Sequence, residues 1–232
     1  MPRHPSYNPA PDPPKSAAGL VDMAALNADL EDANTATHAI GLIAAILGAR
    51  LLLTSVSPEA SPAVYVACGV YAASLISVFA ASCLYHSATA PRQKRILRAV
   101  DQICIYLLIG GTATPLFETL LPPPLAGTMV RTVWSIGALG IALRVCFPSR
   151  FDGIGILLCL AMGWCGAGTL DFFVPETPSL AKPLIIGGGI AFTGGLLFYL
   201  SEPWFRWGHV IWHLFVLAGT ALHFGAVLVS VA

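Results

Sequence analysis

The sequence predicts an all-α membrane protein: a seven-transmembrane helix bundle with its N-terminus cytoplasmic and its C-terminus outside. Three observations predict it. Of 232 residues, 56% are hydrophobic and 10% are charged, whereas a soluble domain carries about 25% charged residues. Mean hydropathy is +0.75, which leaves too little polar surface to clothe a water-soluble core. The apolar residues also fall into seven long runs separated by proline, glycine and charge, and a bilayer core takes about 20 apolar residues per helix.

The chain divides at its N-terminal side into a tail and short helix over residues 1–33, followed by a membrane domain over 34–232. Residues 1–19 are rich in proline and lack periodic apolar positions, so they read as a flexible tail without the hydrophobic core of a secretory signal. Leu20, Met23, Leu26 and Leu30 then recur at helical spacing among Asp22, Asp29, Glu31 and Asp32. That segment reads either as a short amphipathic helix against the bundle mouth or as a solvated linker. Spans are predicted near 38–56, 63–85, 100–121, 129–147, 154–174, 184–201 and 209–230. The fourth and sixth have the least definite ends, because glycine runs such as Gly187-Gly188-Gly189 blur them. Those glycines suit close helix approach rather than ligand binding.

Orientation follows from Lys and Arg in short loops. Arg92, Lys94, Arg95 and Arg98 follow the second span, Arg144 and Arg150 flank the loop after the fourth, and Arg206 precedes the seventh; the other side holds Arg50, Arg131 and Lys182. The richer side is expected to be cytoplasmic and the membrane to be the plasma (inner) membrane. Twelve basic residues balance twelve acidic ones, which points away from nucleic acid and leaves membrane lipids as the expected partners. There is no GxGxxG after a strand and no Walker loop. The six cysteines (Cys68, Cys83, Cys104, Cys146, Cys159 and Cys165) show no CxxC pair and read as small buried residues. Cys83, three residues before His86, is the one placed to act as a soft-metal contact.

The chemistry lies in the histidines. His209 and His213 are four apart at the start of the last span, so a helix presents both on one face. By itself the pair fits an interfacial polar face at least as well as a metal chelate. Topology adds His86 at the end of the second span and Asp101 at the start of the third, all at one membrane depth. Ionisable groups inside a membrane are costly and point to function. Three histidines with an open position match catalytic zinc, whereas structural zinc sites usually close the fourth position with protein.

Ser82 stands one turn before His86, positioned either to hydrogen-bond an imidazole or a metal-bound water, or to bond back to the carbonyl of Val78. Asp101 is suited to accept a proton from such a water or to orient a ligand histidine, with pairing to Arg98 the blander role. His38 and Asn34, at the mouth of the first span, either approach the cluster or cap that helix. His223 lies about 15 Å deeper than His213 and reads as a hydrogen-bonded bundle residue. Thr112, Thr114 and Pro115 read as a kink whose hydroxyls re-satisfy freed carbonyls. Glu118 lies near the outer end of the third span.

Taken in order, Asn34-Thr-Ala-Thr-His38, Ser82-Cys-Leu-Tyr-His86-Ser87, Asp101, Gly111-Thr-Ala-Thr-Pro115, Met162-Gly-Trp164, Trp207-Gly-His-Val-Ile-Trp-His213 and Gly219-Thr-Ala-Leu-His-Phe224 resemble the hemolysin III family. Its relatives are the progestin and adipoQ receptors, including the adiponectin receptors, and the likeness covers about residues 31–230. The resemblance implies a seven-helix bundle with a Zn²⁺ ion held by His86, His209 and His213, and with Ser82 and Asp101 around its water. It also implies kinship with membrane hydrolases of lipid amides such as ceramides. Two departures stand out. Ala113 replaces a frequent aromatic residue, and Glu202 stands where relatives often carry a basic one. Neither is expected to touch the ligands.

The expected function is therefore zinc-dependent hydrolysis of a lipid amide or ester in the membrane, with Asp101 as general base, Ser82 assisting, and substrate entering sideways from the bilayer. The rivals are a receptor or homeostasis sensor with structural zinc, and a pore-forming hemolysin, for which the chain lacks a convertible amphipathic segment. The topology is testable directly. A reporter fused after Ala232 should read outside and one inserted among Arg92–Arg98 inside; both on one side would break the seven-span order.

Overall fold

Proline and chain polarity set where the helices begin. The computed structural model describes residues 17–147 and 152–232, so His4, Arg150 and most of the proline-rich tail lie outside the described residues. The helices are α1 (Ala17–Ser55), α2 (Pro62–Ser87), α3 (Pro91–Leu120), α4 (Pro123–Cys146), α5 (Asp152–Trp164), α6 (Ala181–Ser201) and α7 (Gly208–Val231). Among the described residues there are no strands. Three helices open with a proline, Pro62, Pro91 and Pro123, where the missing N–H has no intrahelical partner to lose and the fixed φ already suits a helix.

Among the described residues, seven helical segments are long and apolar enough to cross a membrane, and the chain is a multi-pass integral membrane protein. The acidic stretch continues into the first span: Ala17–Ser55 is one helix, and its membrane-competent part is Ala28–Ser55. The segment carrying Arg92 to Arg98, read as a loop from its charge, forms the first turns of α3. Proline at the first helical position and an unbroken run of helix formers outweigh the charge there. The fourth and sixth spans are regular α-helices. Irregularity falls instead on the fifth, where α5 stops at Trp164 and a 3₁₀ segment, Ala167–Phe172, carries the chain onward. The tighter rise of 3₁₀ geometry, about 2.0 Å per residue, lengthens a span that its α-helical part leaves short.

Short links make sequential helices antiparallel neighbours. The closest pairings are α6 with α7, α2 with α3 and α1 with α2, while α7 also packs on α1 and α3. One core lies among α1, α2, α3, α6 and α7 around Leu52, Tyr71, Phe79, Leu120 and Val227. A smaller one joins α3, α4 and α5 around Tyr106, Phe117, Val133 and Met162. Large apolar side chains point outward: Ile40, Ile43 and Leu47 on α1, Leu84 on α2, Leu157 on α5 and Leu197 on α6 are all exposed. In water such a belt would be a liability; against lipid it is the expected outer surface.

The reading of the glycines as contact points holds. A Cβ at Gly188 on α6 would overlap the His223 ring on α7, and one at Gly195 would overlap Phe215, so the two backbones approach as small residues allow. His223 itself donates from Nε2 to the Ile185 carbonyl at 3.0 Å, the bundle role read from its position. The threonine reading needs correction. Thr112 and Thr114 donate to the Leu108 and Gly110 carbonyls, each at 2.7 Å, and not to the Gly111 carbonyl that Pro115, lacking an N–H, leaves without its usual donor. A helical hydroxyl reaches back three or four residues from its own position, and Gly111 is neither for Thr112 and is the nearer choice that Thr114 does not take. Among the cysteines, Cys68 and Cys104 are buried, but Cys146 is exposed and all six are free thiols.

The glycine contact predicts an asymmetry. Gly188→Ala should lower the thermal unfolding midpoint in detergent, with a loss of about 1–3 kcal/mol from overpacking. Gly69→Ala, where an added methyl meets nothing within 4 Å, should be neutral or stabilising by about 0.5–1 kcal/mol, because alanine loses less chain entropy in a helix. Equal effects at both positions would rule out the proposed close approach.

Candidate metal centre

His209 and His213 occupy the first two turns of α7, one turn apart on a single face, with ring centroids 4.7 Å apart. His86, in the last turn of α2, meets them edge-on, its centroid 5.0 Å from each. One candidate ligand atom from each of the three lies within 4.8 Å of the other two. Two helices that are distant in sequence thus bring three imidazoles to one point at the bundle mouth.

What the rest of each ring touches decides which nitrogen faces that point. His86 Nδ1 lies 2.7 Å from Glu31 Oε2 on α1, and a carboxylate only accepts, so Nδ1 carries the proton. The other Glu31 oxygen accepts from Lys94 Nζ at 2.7 Å. His213 Nδ1 lies 3.3 Å from the Asn34 carbonyl and 3.1 Å from Thr37 Oγ1. Thr37 gives its own proton to the same carbonyl at 2.8 Å, so both neighbours of His213 Nδ1 accept. His209 Nδ1 is 3.1 Å from Glu202 Oε1, at ion-pair distance but off hydrogen-bond alignment. Contact with this imidazole holds the Glu202 carboxyl below the ordinary range of a glutamate.

These assignments leave Nε2 as the lone-pair nitrogen on His86 and His213, and they suit the donor set of a divalent metal. His86 Nε2 is buried with no hydrogen-bond partner, an arrangement that proteins otherwise avoid and that coordination of a metal relieves. Three neutral imidazoles, each with its other nitrogen on an acceptor, are the usual form of a zinc or related transition-metal site.

Around the triad sit the other residues singled out in the sequence. Ser82 is buried, and its hydroxyl meets His38 Nδ1 at 2.6 Å rather than returning to the Val78 carbonyl. Asp101 on α3 stands nearby, within electrostatic reach of Ser82, His209 and Arg98. His38 stacks on His213 with centroids 3.6 Å apart; it lies inside α1 and caps nothing. Asn34 contributes its carbonyl to His213, and its side-chain Oδ1 is buried without a partner. Cys83 does not join the cluster: its thiol points to the Thr35 carbonyl on α1 at 3.9 Å. Glu118 lines an open groove with Pro62, Val66, Thr114 and Trp134, apart from the triad.

The expectation that Glu202 stays clear of the ligands is overturned. The turn after α6 folds back on the first turn of α7, so seven residues of sequence separation close to 3.1 Å. Glu31, Thr37 and Lys94 were not singled out as site residues. A signal for Glu31 was present: Glu31, Asn34 and His38 fall at i, i+3 and i+7, on one face of the helix.

The profile of the haemolysin-III-related proteins matches residues 27–224. The chain belongs to that family. It is 33% identical to Hemolysin-3 of Bacillus cereus over 198 residues, 85% of this chain and 90% of that one. It is 32% identical to the Hemolysin-3 homolog of Bacillus subtilis (strain 168), over 85% of this chain and 92% of that one. Monocyte to macrophage differentiation factor of Homo sapiens is 27% identical over 204 residues, 84% of this chain and 82% of that protein. No solved structure matches the chain. The family match spans every residue of the triad together with Ser82 and Asp101, so the site lies wholly within the region that makes this a haemolysin-III-related protein.

Metal content tests the triad. Purified protein should carry roughly one zinc ion per chain, as a single three-histidine site holds, and His209→Ala or His213→Ala should lose most of it by elemental analysis. Full occupancy in the double variant would remove these histidines as ligands.

Proposed function

We propose that the chain is a zinc-dependent hydrolase of the membrane, cleaving amide or ester bonds of lipids in the manner of a ceramidase. The observation that supports this reading is the convergence of His86, His209 and His213 within 4.8 Å, beside a carboxylate and a hydroxyl that the three-ligand set leaves uncommitted. A bound zinc would supply Lewis acidity and bring the pKa of its water to about 7.

The chain's own residues account for the proton. Asp101 is the general base, accepting a proton from the attacking water, whose oxygen bonds to the acyl carbon. As the C–N bond breaks, the same carboxyl returns that proton to the departing amine; in an ester the leaving oxygen takes it. Ser82, beside Asp101, is placed to orient that carboxyl while its oxygen receives the His38 contact at 2.6 Å. Reacting groups on rigid helices, not loops, keep this geometry without reorganisation. A lipid substrate reaches the mouth from the bilayer side, where the outer surface is apolar.

Asp101→Asn should keep the fold and nearly all the zinc while slowing turnover of long-chain N-acyl amides or esters by about 10²–10⁴-fold. The assay pairs elemental analysis with hydrolysis in mixed micelles, with and without chelator. Loss of zinc in this variant would make Asp101 a ligand instead. Zinc-loaded wild-type protein that hydrolyses none of a panel of ceramides, N-acyl amides and esters would replace the hydrolase with a receptor or sensor holding structural zinc.

A further inference from the structure

We propose that Glu31, held by Lys94, is the positioning residue of the metal centre: it fixes the Nδ1–H form of His86 and so aims the Nε2 lone pair at the point shared with His209 and His213. The inference rests on the metal-site reading and adds a residue that reading did not need. Three observations carry it. The Glu31 carboxylate is divided between two partners, with Oε2 2.7 Å from His86 Nδ1 and Oε1 2.7 Å from Lys94 Nζ. The histidine is withdrawn from solvent while the glutamate is not: their side chains are 3% and 37% exposed. The far nitrogen of the same ring, Nε2, is buried with no hydrogen-bond partner.

An ordinary ion pair accounts for the first observation but not for the third. A doubly protonated His86 would bury an N–H at Nε2 without an acceptor, and the alternative tautomer would do the same while setting an unprotonated Nδ1 against a carboxylate. The Nδ1–H tautomer alone satisfies Glu31 and leaves a bare lone pair on the inner side. His213 follows the same rule, with its Nδ1 on the Asn34 carbonyl, while His209 Nδ1 stands 3.1 Å from Glu202 without hydrogen-bond alignment. Carboxylate partners of metal-bound histidines fix ring orientation and raise ligand basicity. Lys94 completes the clamp from α3 and lies 5.4 Å over the Tyr85 ring, so α1, α2 and α3 are joined at this end through a single carboxylate.

The test uses the full-length protein in detergent, with Co²⁺ as the metal and chelator competition as the measure of affinity. Glu31→Leu, which keeps the volume but removes the acceptor, should weaken Co²⁺ binding by about 10–100-fold and alter its visible ligand-field bands. Glu31→Gln, whose amide oxygen still accepts from Nδ1–H, should recover part of the loss, and Lys94→Gln should cost less than Glu31→Leu. In the metal-free protein, ¹⁵N-histidine NMR should place the His86 proton on Nδ1 in wild type and show a mixture of tautomers in Glu31→Leu. Circular dichroism controls for folding, and the NMR readout stands even if the leucine variant is less stable. Glu31→Leu binding Co²⁺ as tightly as wild type, with the tautomer unchanged, would overturn the role of Glu31 while leaving the triad intact. Wild-type protein that binds no Co²⁺ or Zn²⁺ at all would overturn the metal centre, and this proposal with it.

Discussion

Lipid offers no hydrogen bonds, and that constraint shapes the whole molecule. Each span satisfies its backbone internally as a helix, threonine hydroxyls such as Thr112, Thr114 and Thr119 return to carbonyls of their own helices, and the outward surface is leucine and isoleucine. Against this background a buried polar atom without a partner carries information. Three such atoms, Asn34 Oδ1, His38 Nε2 and His86 Nε2, belong to residues gathered at one end of α1 and α2. Tyr71 Oη, Thr177 Oγ1 and Thr220 Oγ1 stand unpaired singly elsewhere, whereas these three, with His209 Nδ1, gather where the imidazoles meet.

The scaffold explains how that arrangement is held. α7 packs on α6, α1 and α3, and α2 packs on α1 and α3, so the histidine-bearing helices are braced by both neighbours that supply the groups around the site. α1 is the key element here. It contributes no metal ligand, yet Glu31, Asn34, Thr37 and His38 contact His86, His213 or Ser82. By contrast, α4 and α5 build the smaller core with α3 and contribute none of these contacts. The division sets the histidine cluster on one side of the bundle and a stabilising flank on the other.

Close helix approach makes the bracing possible. Where α6 meets α7, glycine stands opposite an aromatic or imidazole ring at Gly188, Gly195 and Gly219. Each removes a side chain that would hold the helices apart, and dispersion across the seam replaces the hydrophobic drive that lipid does not provide. The same seam fixes the start of α7, and with it the depth at which His209 and His213 present themselves.

The sequence by itself determined the class, the number of spans and the three histidines that converge. Length and apolarity of each run report directly on a bilayer of fixed thickness, and the four-residue spacing of His209 and His213 reports directly on the helical turn. It was less informative where local rules compete: the charged start of α3 is helix, and the fifth span finishes in 3₁₀ geometry. Thr37, Lys94 and Glu202 became site residues through the tertiary structure alone, and the stripe that carries Glu31 gave a face but no partner. Glu31, Thr37 and Glu202 matter through the ring nitrogen each one faces, and Lys94 through Glu31; such contacts join α1 to α2, α1 to α3, α1 to α7 or the turn after α6 to α7. Spacing along one helix fixes a face, but the rotation and depth of one helix against another come from packing the whole bundle, and only packing decides where a proton on an imidazole must sit.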